Sequence, residues 1–496
     1  MSILRKLLSQ TLIYGASTIL ARLMNLLLTP LYTNLPDRIS QSDFGAYINL
    51  YAYVAFVNVL LTFGMETTFF RYLQEPGDLR RTYGQTFSWV LMVSALASGL
   101  LLLLRRPLAG AMGYAERPEL IGTLALVVLL DALAALPLAK LRHEERVRWF
   151  SAITLSNVLI TISLNLIFIL GMGMGIEGIF YANLAASAAK LGMALWRNLP
   201  PLLLPTPRAM GEKLEYGFFI MLAGFAGVMN ETLDRVMLPY RWGEAAPFDG
   251  LMLDGREMNG IYGANYKVAM LIALATQAFR FAAEPFFFRQ AGQKDSPETF
   301  ARVFHYFVLA ALAGFLLIGS FALEIEQFNF FGLTKGSFVG SSYWSGVKAV
   351  PVLLMAYVFS GAYINLSIWF KITKQTRFAL LFTSLGAGVT LIINYFGIPV
   401  YGYMASAWAT LACYAAMSAL VYFTGQRYYP LPYRMGRILL YGLLFLAAYG
   451  LNRQIGWSEG DPAVLGMKLL VCILLLGGIV LAERSWPPFG QGQAIS

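Results

Sequence analysis

The sequence predicts an all-α integral membrane protein of about fourteen transmembrane helices. Three observations carry that prediction: composition, the spacing of apolar runs and the placement of basic residues. Of 496 residues, 58% are hydrophobic and 13% are charged, against roughly 25% charged in a soluble domain. A water-exposed chain of this length needs far more polar surface to cover its core. The mean hydropathy of +0.60 agrees. Lipid is the solvent for most of the chain.

Crossing a bilayer with every backbone group satisfied takes about 20 mostly apolar helical residues. Such runs fall at 10–31, 44–64, 85–104, 119–139, 151–171 and 176–196. After a more polar connection from Pro200 to Lys213 they resume at 216–239, 260–283, 303–323, 348–369, 377–396 and 402–424, with a final pair at 436–452 and 463–482. The basic N-terminal decapeptide is followed by an apolar run that contains Arg22 and ends without a small-residue cleavage site, so it reads as a retained first helix. The longest outer loops, 240–259 and 324–347, are too short for a separate catalytic domain.

The net charge of +10 raises a nucleic-acid partner, but the basic residues sit singly or in small groups between apolar runs and do not form a basic face. Of the 37 Lys and Arg, about 23 fall in the even-numbered loops and termini and about 9 in the odd loops. Lys140, Arg142, Arg146 and Arg148 cluster in one such loop, and Lys371, Lys374 and Arg377 in another. The positive-inside rule then puts both termini in the cytoplasm, as an even helix number requires.

A faint duplication links the first six helices to the next six. Helix two ends Glu66-Thr-Thr-Phe-Phe-Arg71 and helix eight ends Glu284-Pro-Phe-Phe-Phe-Arg289. Gly45, Tyr47 and Tyr51 match Gly260, Tyr262 and Tyr266 in spacing, and Tyr14-Gly15 matches Tyr216-Gly217. The expected organisation is two pseudo-symmetric six-helix lobes, 1–199 and 200–430, followed by two additional helices and a cytoplasmic tail in 431–496. Six is even, so the lobes are parallel repeats, a plan in which the substrate path runs between them.

Soluble-enzyme chemistry has little support. No GxxxxGK[ST] motif is present, and His143 and His305 lie in no metal-binding pattern. Cys413 and Cys472 fall in apolar runs as packing residues. Gly173, Gly175 and Gly178 match GxGxxG, but between two membrane helices, where a glycine turn is the simpler reading.

The informative residues are charges within spans, which are costly and usually face a cavity or a partner. Thr18, Arg22, Asn25 and Thr29 are spaced to share one face of helix one. Arg22 is the first candidate to line a cavity. Helix eight carries Tyr266, Met270, Ala273, Gln277, Arg280 and Glu284 on one stripe, with Lys267 beside it. Arg280 with Glu284, and Glu231 with Arg235, are spaced to pair within their own helices, leaving Asp234 over. Asp131 in helix four either carries a coupling ion, H+ or Na+, or pairs with Arg22. Glu66, Arg71, Glu284 and Arg289 suit bracing or gating at the inner ends of helices two and eight, and Lys468 is placed to snorkel outward. The surplus of cations over acids suits an anionic ligand such as pyrophosphate.

The stretches YGASTILARLMNLLLTPLYT (14–33) and FGAYINLYAYVAFVNVLLTFGMETTFFRY (44–72), with Trp369 to Arg377, Asn394 and Gly402 to Trp408, resemble bacterial polysaccharide-biosynthesis flippases of the Wzx type. These belong to the multidrug, oligosaccharidyl-lipid and polysaccharide exporter superfamily, which also holds the lipid II flippase. The resemblance spans most of helices one to twelve. It implies a non-enzymatic, inner-membrane transporter working by alternating access, without a cofactor. Its cargo would be an undecaprenyl-pyrophosphate-linked oligosaccharide for O-antigen, capsule or exopolysaccharide synthesis, and a polysaccharide polymerase is an expected partner. Arg22, with Asn25, Lys267, Arg280 and Arg235, would hold the pyrophosphate and sugar; Asp131, Glu66, Arg71, Glu231, Asp234, Glu284 and Arg289 would couple or gate. A cation-coupled multidrug exporter, a lipid II flippase and a membrane glycosyltransferase are the alternatives.

Overall fold

The computed structural model describes residues 15, 17–73, 79–203, 206–291, 293, 295–329, 336–373, 375, 377–456 and 461–485; the side chains of 207–209, 282, 285 and 289 also lie outside the description. Almost all of it is helical. Helix α1 covers 17–26, followed by α2 (Gln41–Tyr72), α3 (Leu79–Leu103), α4 (Pro118–His143) and α5 (Val147–Gly171). Then come α6 (Ile176–Leu195), α7 (Pro207–Trp242), α8 (Gly255–Gln290) and α9 (Ser296–Ser320). The chain continues through α10 (Ser341–Ile372), α11 (Arg377–Tyr401), α12 (Tyr403–Tyr428), α13 (Met435–Ile455) and α14 (Pro462–Ser485). Among the described residues eleven helices are long and apolar enough to span a bilayer. α6 and α8, helical over 20 and 36 residues, are not among those eleven.

Helix starts follow from local chemistry. α2 opens with a capping box: the Asp43 amide donates to Ser40 Oγ at 3.0 Å and the Asp43 carboxylate accepts from the Ser40 amide. α8 opens the same way, with the Arg256 and Glu257 amides donating to Asp254 Oδ1 and the Asp254 amide to Glu257. Each box satisfies donors that a helix N-terminus otherwise leaves unpaired. Two equivalent helices thus share a start signal.

Several boundaries differ from expectation. α7 begins at Pro207, inside the predicted 200–213 connection, because proline suits a first helical position. At 36 residues each, α7 and α8 run about 54 Å, well beyond a hydrocarbon core. α1 breaks at Leu27–Leu28 and restarts at Thr29–Thr33, since Pro30 lacks an amide and its ring crowds the carbonyl four residues back. The outer segments expected as plain loops contain an antiparallel hairpin, Ala246–Phe248 with Leu251–Leu253, and the short helix Ala322–Gln327. The Gly173–Gly178 motif is a turn: it follows a π-helical end to α5, Gly173 has φ of +71°, and a Cβ on Gly175 would lie 2.8 Å from the Arg38 carbonyl. The Arg38 guanidinium caps that helix end through the Ile169 and Leu170 carbonyls.

By its contacts the chain forms two compact units, one running to Leu28 and from Leu35 to Val236, the other holding Thr29–Asn34 and the residues from Met237 onward. In the first, α4 packs against α3, α6 and α2 and is buried over 72% of its apolar window, which explains a helix apolar on all sides. In the second, α10 packs on α8, α9 and α12, while α13 and α14 attach through α9. The halves are pseudo-symmetric in their helix-to-helix contacts.

α2 and α7 cross at an unusually close point. Phe63 and Gly64 take left-handed conformations that break α2, and a Cβ on Gly64 would come within 2.7 Å of the Gly217 carbonyl. A Cβ on Gly217 would in turn sit 2.7 Å from the Phe63 carbonyl and 2.9 Å from Met65 Cε. Small residues are what let backbones approach in lipid. Replacing Gly217 with Leu should therefore cost about 1–3 kcal/mol by overpacking, seen as a lower melting temperature and less monodisperse protein in detergent. Gly227→Leu, where an added Cβ meets nothing, should be tolerated.

Candidate functional site

Arg22 lies on an exposed face of α1 next to exposed Asn25, and Arg22 makes no ion pair among the described residues. The stripe expected to run on to Thr29 does not: the helix break intervenes, and Thr29 is buried within the other unit. The polar face is thus shorter than its spacing implied, and it ends on Arg22 and Asn25.

Asp131 pairs with Lys190 at 2.7 Å and not with Arg22. Lys190 projects from the C-terminal half of α6, and the pair joins α4 to α6 with side chains 19% and 25% exposed. Tyr47, Tyr51 and Phe180 form tilted aromatic packing in the same unit, and the Tyr51 hydroxyl is buried without a hydrogen-bond partner among the described residues. Sequence reasoning passed over Lys190. Its signal was available, a lone lysine within an apolar run, the same criterion that selected Asp131.

The expected Glu231–Arg235 pairing also changes. Arg235 donates to the Glu231 backbone carbonyl at 3.0 Å, and its Nε sits 3.8 Å from the buried carboxylate of Asp234. Glu231 itself is exposed. Asn49, which the sequence did not single out, is fully buried; it donates to the Arg235 carbonyl at 2.8 Å and accepts from the Tyr114 hydroxyl. That bond pins α7 to α2 beside the Asp234–Arg235 turn.

At the predicted inner ends the two halves repeat one device. In the first unit Glu66 of α2 pairs with Arg142 of α4 at 2.6 Å, while Arg71 stacks over the Tyr216 ring at 4.8 Å. In the second, Glu284 of α8 pairs with Lys371 of α10 at 2.5 Å as well as with Arg280 at 3.0 Å. The i,i+4 reading of Arg280 and Glu284 holds, but Lys371 is the added partner, equivalent by repeat position to Arg142. Lys267 is half-buried and Arg280 exposed; the Arg289 side chain lies outside the described residues.

Other charges dock α13 and α14 onto α9. Lys468 does not snorkel. It is 1% exposed and donates to Glu324 at 2.6 Å and to the Ser320 carbonyl at 3.3 Å, while Asn452 donates to the Ser320 hydroxyl. A paired carboxylate close at hand outweighs a long reach to water. At the opposite ends of these helices, buried His305 lies 3.2 Å from Glu483, which also accepts from the Tyr441 hydroxyl at 2.7 Å. Among the described residues no group of three or more His, Cys, Asp or Glu is placed to hold a metal ion.

A model of the family described as polysaccharide biosynthesis protein matches residues 38–247. Among solved structures, the lipid II flippase MurJ in an inward closed conformation superposes with a TM-score of 0.71 at 12% identity, over 95% of this chain and 99% of that one. An inward-facing multidrug resistance MATE family transporter of the MOP superfamily gives 0.57 at 14% identity, over 86% and 94%. The Vibrio cholerae MATE transporter VcmN in its bent form gives 0.52 at 14%, over 86% and 97%. At these identities the likeness is one of fold. No curated protein sequence matches the chain significantly. Two helical units with membrane-depth charges on this architecture define the class: a multi-pass membrane protein with the MOP transporter fold. Over residues 38–247 the chain is in addition similar to the family described as polysaccharide biosynthesis protein.

Two outcomes are expected from these pairings. Glu324→Ala leaves Lys468 buried without its counter-charge and should cost about 3–5 kcal/mol, whereas a combined Glu324→Leu, Lys468→Met change should recover most of that loss in thermal melts. Glu326, outside the spans, is fully buried and burial pushes its carboxyl well above the usual carboxylate range. Its protonated form favours the fold, so that stability is complete below the ordinary carboxylate pKa and is lost as pH rises through the raised one. Glu326→Gln should flatten this decline; melting curves that keep the same pH slope would discount the residue.

Proposed function

We propose that the chain is a secondary transporter that flips a polyprenyl-pyrophosphate-linked saccharide from the cytoplasmic to the outer leaflet by alternating access. The observation that carries this reading is Arg22: an exposed arginine on a membrane helix, without an ion pair among the described residues. A bare guanidinium in lipid is costly, and its planar donors match phosphate oxygens. Asn25 beside it suits sugar or phosphate oxygens, with Lys267, Arg280 and Arg235 as further candidate contacts. Asp131, held by Lys190, is the proposed coupling acid, because protonation or Na+ binding there would release the lysine. Asp234 and Glu231 remain proposed coupling groups, and the inner ion pairs of Glu66 and Glu284 proposed gates, with Arg71 and Arg289 as supporting cations.

Two lines bear on the cargo. The superposition over 95% of this chain supports a lipid II-like cargo better than a polymer repeat unit, while the family match supports a polysaccharide precursor. Both share the pyrophosphate that Arg22 suits. A multidrug exporter is less supported, since those structures align over 86% of the chain with lower scores. Both cytoplasmic termini, and a polymerase partner, belong to this proposal.

The test is leaflet translocation in proteoliposomes, comparing lipid II, a polyprenyl-pyrophosphate oligosaccharide and a fluorescent organic cation. Movement of either lipid-linked sugar supports the reading and identifies its cargo; movement of the cation alone overturns it. Arg22→Ala should reduce flipping by at least about tenfold, in line with loss of a charge-assisted bidentate contact, with Arg22→Lys intermediate. Unchanged flipping by a well-folded Arg22→Ala protein removes Arg22 as the anchor.

A further inference from the structure

We infer that Glu326 is a proton-binding site, and that its proton keeps the short helix Ala322–Gln327, and with it the Glu324–Lys468 bridge to α14, packed in the second unit. Glu326 is 0% exposed, and neither of its carboxylate oxygens has a hydrogen-bond partner among the described residues. Acids are almost never fully buried unless paired. Asp131, Glu66, Glu284 and Glu324 each meet a cation. Glu326 belongs to neither the bracing pairs nor the transport reading.

The backbone fixes the carboxyl inside. The Ile325 amide donates to the Phe321 carbonyl at 2.8 Å, which continues the chain from the end of α9. The Glu326 carbonyl accepts from the Val339 amide at 3.0 Å, and the Phe328 carbonyl from the Phe338 amide at 2.9 Å. The returning segment is held in turn: Gly340 donates its amide to Thr33 Oγ1 at 3.0 Å, and the Trp344 indole donates to the Val339 carbonyl at 2.8 Å. Ala322, Val339, Tyr343 and Ala349 are all buried, so the packing around this helix is dry. Two residues before Glu326, Glu324 accepts from Lys468 of α14 at 2.6 Å. One short helix thus carries both an acid without a partner and the counter-charge of a buried lysine.

No neighbouring charge compensates Glu326. Its helix follows α9 and packs against residues 341–349 and α8. Those elements bring Tyr343 and Lys348, and Arg256, Glu257 and Tyr262 in the first turns of α8. Lys348 pairs with Asp249, Glu257 accepts from the Asp254 amide, and Lys468 pairs with Glu324. Burial alone pushes the Glu326 carboxyl well above the usual carboxylate range. An ionised carboxylate there has neither water nor a counter-charge, the costly state for a buried group. Carrying the side chain out to water relieves that cost, and the same movement draws Glu324 away from Lys468. Because the proton favours the packed form, packing is complete below the ordinary glutamate value of about 4.3 and is lost as pH rises through the raised one.

The test is hydrogen exchange of the full-length protein in detergent micelles, read by mass spectrometry over a pH series and corrected for the intrinsic pH dependence of exchange. Peptides covering 322–328 and 338–349 should lose protection by up to about tenfold per pH unit above the raised value, as release of one proton requires. A peptide covering Lys468 should follow them. Glu326→Gln, neutral at every pH, should keep all three protected. Wild-type protection that does not change with pH, or an equal loss in Glu326→Gln, overturns the proposal. So does a parallel loss in α4, which reports global unfolding. A Lys468 peptide that stays protected overturns the link to α14. Should Glu326→Gln assemble poorly, infrared spectroscopy of wild type takes its place. A protonated-glutamate carbonyl band must persist above the ordinary carboxylate range and vanish in step with the loss of protection, and its absence overturns the site. Packing and protonation are read without transport, so this result stands apart from the flipping assay.

Discussion

A charge carried to membrane depth costs about 2.5–3.5 kcal/mol on insertion scales unless it is paired or wet, and that penalty orders much of this molecule. Asp131 finds Lys190, Glu66 finds Arg142, Glu284 finds Lys371 and Lys468 finds Glu324. Each pair joins two different helices, with Glu324 on the short helix Ala322–Gln327. The ion pairs therefore also set which helices lie together, since lipid offers apolar helices no hydrophobic reason to prefer one neighbour over another.

The internal duplication gains physical content from the same rule. α2 and α8 each begin with a capping box and each end on a glutamate bound to a base from the end of the fourth helix of their half. The two bases differ, an arginine and a lysine, yet occupy one repeat position. α13 and α14 stand outside this scheme and are attached to α9 by polar groups at both ends, Lys468 with Asn452 at one and Glu483 with Tyr441 and His305 at the other.

Against this background of paired charge, Arg22 is the informative exception. Its exposure without an ion partner among the described residues distinguishes it from Arg142 or Lys371, whose cationic charge is spent on bracing. Irregular backbone occurs at the close crossing of Gly64 with Gly217 and at the break before Thr29.

The membrane class and the positions of most long helices were legible in the residues alone, because lipid demands long apolar runs and regular helices whatever the tertiary arrangement. Arg22, Asp131, Glu66 and Glu284 were legible as costly charges for the same reason. Their partners were not. Spacing along one helix reveals i,i+4 neighbours such as Arg280 and Glu284, but Lys190, Arg142, Lys371 and Glu324 reach their partners from other elements. The burial of Lys468 and the turning of Arg235 toward Asp234 likewise depend on what packs beside them. Sequence thus determined which residues must be accommodated in the membrane; only the tertiary structure decided which are neutralised, since pairing energy depends on distances between helices that no linear spacing encodes.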